Sequence, residues 1–68
     1  MSLYKVVELV GTSSVSWDDA AKSAIETARR SLQDIRIAEV TKMDLKIEDD
    51  AVLFRTRLSL SFKYHSDA

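Results

Sequence analysis

Cationic side chains recur along the C-terminal half of this chain, at Arg36, Lys42, Lys46, Arg55 and Arg57. A guanidinium presents five donors in a planar fork that matches phosphate and carboxylate oxygens. A cluster of this kind suits an anionic pocket for a phosphate-bearing ligand, such as a flavin nucleotide or coenzyme A. The same residues equally suit a solvated sheet face with cross-strand pairs to Asp44 and Glu48. Glu48-Asp49-Asp50 sets three carboxylates in a row, and hard oxygen donors are what calcium and magnesium take. The run lacks the spacing and glycine of a calcium loop, and it also reads as a plain acidic turn. Glu8 and Glu39 stand within otherwise apolar stretches. A buried carboxylate needs a partner there, by default an arginine, otherwise an ion between copies.

Catalytic groups are scarce. The chain has no cysteine and one histidine, His65, so there is no thiol nucleophile, thiolate site or histidine cluster. His65 lies in the tail, away from any nucleophile, and takes no role. A single glycine, Gly11, cannot make a phosphate loop, and no serine stands in a strand-turn-helix elbow. An enzyme is not expected. Lys plus Arg number 10 against 11 for Asp plus Glu, which gives no field to attract nucleic acid or an anionic membrane. No apolar run approaches the roughly 20 residues of a membrane span. Charges interrupt the stretch from Met1 to Gly11, so no signal peptide is expected there. The expected location is the cytoplasm.

The elements that position these residues follow from periodicity. Leu3 to Val10 is rich in β-branched and aromatic residues and predicts a strand. Gly11 to Ser14 predicts a turn, with Thr12 and Ser13 as capping hydroxyls and Ser16 as the N-cap. Trp17, Ala20, Ala21, Ala24, Ile25, Ala28 and Leu32 recur at steps of three and four, the stripe of an amphipathic helix. Asp18 and Asp19 complement its dipole, and Trp17 serves as a core anchor. Ile35 to Ile47 alternates, with Ile35, Ile37, Glu39, Thr41, Met43, Leu45 and Ile47 on one face. Met43 is filler for an irregular contact. After the Glu48–Asp50 turn, Val52 to Tyr64 alternates again, and the two segments predict a hairpin. The tail from His65 to Ala68 is expected to fray.

The order is β-α-β-β, an α+β protomer over residues 1–68. A right-handed crossover makes the first two strands parallel in direction. The third strand then slots between them, giving a three-stranded antiparallel sheet packed against one amphipathic helix. At 68 residues such a domain buries only about 60% of its unfolded surface and needs a staple. Without disulfides, self-association is the staple left. A strand from Ile35 to Ile47 runs about 43 Å at ~3.3 Å per residue, and a helix from Trp17 to Leu32 about 24 Å at ~1.5 Å per residue. The hairpin must overhang the helix, and its overhanging apolar positions need a partner chain.

The chain resembles the dodecins. The similarity is carried by Tyr4-Lys5-Val6-Val7-Glu8-Leu9-Val10-Gly11-Thr12-Ser13, by Trp17 with the alanine helix, by Ile35-Arg36-Ile37-Ala38-Glu39-Val40, and by Leu58-Ser59-Leu60-Ser61-Phe62-Lys63. The resemblance implies a non-catalytic binding or storage protein that assembles as a hollow homododecamer. It implies flavin, as FMN or riboflavin, or another phosphate-bearing cofactor such as coenzyme A, held between subunits. The alternative it implies is a flavin-free shell that binds calcium or magnesium or is purely structural. By resemblance, the ligand positions are Ile37 and Arg55; Arg36 and Arg57 join them only as cations of the strand faces, and Glu48, Asp49 and Asp50 are metal candidates only as the acidic run. Ile37 stands where flavin-holding members stack a tryptophan on the ring. Arg55 stands where they place a glutamine. Isoleucine has no π-face, and arginine donates without accepting.

Overall fold

A computed structural model describes residues 3–64; the expectations for His65 and the tail fall outside them. Strand β1 (Tyr4–Ser13) leads to helix α1 (Trp17–Ala28), followed by β2 (Ile35–Ile47) and β3 (Val52–Lys63). The sheet order is β1-β3-β2 with both contacts antiparallel, as the crossover and hairpin require. The hairpin turn is closed by Glu48 and Ala51, whose main chains exchange hydrogen bonds of 2.8 and 3.4 Å.

Two boundaries differ from the sequence reading. Gly11, Thr12 and Ser13 continue β1 instead of turning, paired with Thr56, Arg55 and Phe54. Gly11 is there for close approach: a Cβ at this position would run into the main-chain oxygen of Ala20 and lie 2.9 Å from the Ala24 Cβ. The missing side chain lets α1 lie directly on the strand. The α-helix also stops at Ala28, short of Leu32. Arg30 and Ser31 donate to Thr27 and Ala28 three residues back, which tightens the last turn. Asp34, at φ 59° in the left-handed region, then redirects the chain into β2. Leu32 still reaches the core.

The start of α1 is built from hydroxyls. Ser16 is the N-cap, its side chain accepting from the Asp19 N–H at 2.9 Å. Ser13 Oγ accepts from the Val15 N–H at 2.9 Å and donates to the Asp19 carboxylate at 2.6 Å. Thr12 takes no part in the cap; its register with Arg55 puts it on the other face of the sheet. Trp17 packs edge-on against Phe54, with centroids 5.0 Å apart. Its indole N–H donates to the Asp44 main-chain oxygen at 3.0 Å, and the Thr56 hydroxyl donates to the Trp17 carbonyl at 3.0 Å. The core beneath the helix is small. Leu58, Leu60 and Ala28 form its buried centre, with Val7, Leu9, Ile25, Leu32 and Ile35 packed around it.

The sharpest departure lies in β2. Two register shifts, between Ile35 and Ile37 and between Val40 and Lys42, leave Arg36 and Thr41 as extra residues opposite a continuous β3. Each is a bulge, where two residues oppose one. Ile35 faces the helix, but Ala38 and Val40 pair with Leu60 and Leu58 and take that face next. Ile37 and Glu39 therefore turn to the helix-free side, against simple alternation. Met43, Leu45 and Ile47 return to the helix side, beside and past the first turn of α1, and stay exposed. Within β2 only Ile35 and Asp44 are half-buried and every other residue is exposed.

Candidate functional site

The register lays the charged residues out in rows across the helix-free face. Thr12, Arg55 and Asp44 form one row, Val10, Arg57 and Lys42 the next, Glu8, Ser59 and Glu39 the third, and Val6, Ser61 and Ile37 the fourth. Cross-strand neighbours in such rows have Cβ atoms about 4.5–5.5 Å apart. Lys46 shares this face beyond Asp44, opposite Leu53.

Arg55 and Asp44 are joined by a bidentate pair. Arg55 Nε donates to Asp44 Oδ1 at 2.7 Å and its Nη2 to Oδ2 at 2.9 Å. The fork geometry that suits phosphate is here filled by a carboxylate. Those hydrogen bonds hold the Asp44 carboxyl below its ordinary 3.8, against a smaller opposing effect of desolvation, with the charges of Arg55, Lys42 and Arg57 adding to the depression. The hydrogen bonds to Asp44 in turn hold the Arg55 guanidinium above its ordinary value. Of the two cross-strand partners named from sequence, Asp44 takes this role, while Glu48 lies exposed at the hairpin tip.

The remaining expected ligand residues are not brought together within one chain. Ile37 pairs with Ser61, six positions along β3 from Arg55, which is about 20 Å at ~3.3 Å per residue. Both face the helix-free side, too far apart along the strand to form one compact pocket within a single chain. Arg36 is the bulge residue beside Ile37, 3.9 Å from Asp34, and does not join Arg55 and Arg57. Lys42 does, directly opposite Arg57. Glu48, Asp49 and Asp50 are exposed at the hairpin tip. Among the described residues, no group of three or more His, Cys, Asp or Glu side chains could hold a metal ion.

Sequence reasoning missed one arrangement. Glu8 and Glu39 flank Ser59 on adjacent strands, two carboxylates on either side of a hydroxyl. Only the bulge at Arg36 puts Glu39 on that face, and nothing in the local sequence marks it. An open cleft of about 310 Å³ lies elsewhere, between Leu9–Thr12 of β1 and Ser23, Ala24 and Thr27 of α1, and holds none of the expected ligand residues. No helix among the described residues is long and apolar enough to cross a membrane.

The sequence profile described as Dodecin matches residues 3–65. The calcium dodecin of Mycobacterium tuberculosis is 42% identical over 64 residues, covering 93% of this chain and 90% of that one. The crystal structure of a calcium dodecin from that organism, described as calcium-chelating with a novel calcium-binding site, superposes with a TM-score of 0.86 at 38% identity, covering 98% of this chain and 97% of the other. The dodecin of Streptomyces coelicolor gives 0.89 at 33% identity, with 97% and 96% covered. The tt0972 protein of Thermus thermophilus gives 0.88 at 30%, with 97% and 98% covered.

Proposed function

As the chain belongs to the dodecin family, we propose that it is a non-catalytic binding protein that assembles as a hollow dodecamer and holds calcium between its copies. The observation that carries the choice of ligand is the state of the two flavin positions. Ile37 offers no aromatic plane, and the Arg55 fork is already occupied by Asp44. At these two positions a flavin would find no ring to stack on and an arginine already held by a carboxylate. The likeness to a calcium dodecin supports the same direction. The donor types fit: Glu48, Asp49 and Asp50 supply hard carboxylate oxygens. Within one chain these carboxylates do not come together as a group that could hold a metal ion, so the site draws on several copies meeting at their hairpin tips.

The experiment is a calcium titration by calorimetry on chelator-stripped protein, beside a visible spectrum of the same preparation. The expected result is a colourless protein that binds calcium and loses it in the variant Glu48→Gln, Asp49→Asn, Asp50→Asn. Bound flavin with quenched fluorescence would replace this reading with flavin storage. Calcium uptake unchanged in the triple variant would move the ion away from the hairpin tip.

A further inference from the structure

We propose that Asp44 sets the ligand class of the helix-free face: its carboxylate is a built-in anion occupying a cradle of cations, and it keeps phosphate-bearing ligands out. The inference rests on Ile37 and Arg55, the two family ligand positions, both lying on this face of the sheet. Three cations surround Asp44. Arg55 holds both of its oxygens, at 2.7 and 2.9 Å. Lys42, two residues back on the same strand face, and Arg57, directly opposite Lys42, act on it through their charge. A like-charge pair facing across two strands is unfavourable by itself. Asp44 stands in the next row and supplies its counter-charge.

Asp44 is also fixed in place. Its main-chain oxygen accepts from the Trp17 indole at 3.0 Å, which ties this part of β2 to the first turn of α1. Its side chain is tethered where an incoming oxyanion would have to bind. A tethered carboxylate competes intramolecularly, at a high effective concentration, so a free phosphate must displace it from Arg55 before gaining any fork contact. Across the row, β1 contributes only the Thr12 hydroxyl next to Arg55. Neutralising Asp44 therefore leaves Lys42, Arg55 and Arg57 beside a hydroxyl donor, with the nearest carboxylates, Glu8 and Glu39, beyond the Lys42–Arg57 row. That arrangement has the chemistry of a phosphate site.

The test is Asp44→Asn, which keeps the shape of the side chain and one acceptor for Arg55 while removing the charge. Pyrophosphate is titrated by calorimetry at low salt into the assembled parent and variant. At least tenfold tighter binding is expected in Asp44→Asn, and Asp44→Asn with Arg55→Gln should lose that gain. Glu26→Gln, which removes the same charge from the exposed face of α1, should bind as the parent does. Equal affinity in parent and Asp44→Asn, with assembly intact, would overturn the proposal. So would an equal gain in Glu26→Gln, since net charge alone would then account for it. Should Asp44→Asn fail to assemble, Asp44→Ser with the same titration decides. Calcium binding by the parent reads the proposed function separately, so a gain of pyrophosphate beside absent calcium binding would sink that reading and leave this one.

Discussion

At Asp44 the ionised carboxylate is favoured in the folded chain, because Arg55 holds it below its ordinary 3.8. A depressed acid stabilises the fold above its unfolded value, and that contribution is lost as pH falls through the lower folded one. In urea unfolding, the parent should exceed Asp44→Asn near about pH 6, and the gap should close as the pH falls below the ordinary carboxylate range; a gap independent of pH would contradict the pairing. Ile37 gives the second residue-scale expectation. It is 61% exposed on the helix-free side, so Ile37→Trp adds a flat ring without overpacking. An aromatic contact adds about 0.5–1.5 kcal/mol beyond area burial, so riboflavin should bind the variant on the order of tenfold more tightly by fluorescence quenching. An unchanged affinity in an intact assembly would mean that Ile37 does not meet the ligand. Arg55→Gln is not the complementary repair it looks like from sequence, since it strips Asp44 of its partner. The residue types were legible from the start, including Asp44 as a partner for Arg55. Whether Arg55 met Asp44 or a ligand depended on strand register, which residue type does not encode.

The elements themselves were largely readable, because stripe and alternation are direct images of periods 3.6 and 2. Ser16 was readable as the N-cap for the same reason: a cap is a local hydrogen bond. Gly11 was misread, since a lone glycine after a strand signals a turn unless something packs on it. The helix does pack on it, which yields a sharp test. In Gly11→Ala the new methyl meets the Ala20 carbonyl and Ala24, and helix backbone cannot swing aside as a flexible side chain would. A loss of about 1–3 kcal/mol is expected, or a Tm lower by about 4–8 °C per kcal/mol for a domain of this size. A Tm equal to the parent's would mean that α1 sits farther from β1 than the structure has it. The bulges in β2 were invisible: Arg36 and Thr41 are ordinary strand residues, and neither a glycine nor a proline marks either site.

As a whole the protomer is long and thin, 52 × 20 × 16 Å with a radius of gyration of 14.0 Å. A compact chain of this length would have about 11 Å. The excess is the hairpin running past α1, with Met43, Leu45 and Ile47 uncovered and Ile47 81% exposed. Apolar surface of this kind marks an interaction site, and the overhang was already implied by the unequal lengths of strand and helix. Light scattering should give a mass near twelve times 7.7 kDa, and Met43→Lys with Ile47→Lys should shift it toward smaller species while far-UV circular dichroism keeps its strand signal. A parent that stays monomeric at micromolar concentration would refute the assembly.

The paired bulges have a further consequence, for how β2 tolerates changes of length. Deleting one residue from a regular strand puts every later side chain on the opposite side of the sheet. Here Val40 and Lys42 already pair with successive residues of β3, and so do Ile35 and Ile37 with Phe62 and Ser61. Thr41 or Arg36 can be removed and the residues on either side close up in phase, with Asp44 still opposite Arg55. The strand carries two residues of slack, so within this one segment a deletion is a gentler change than many substitutions.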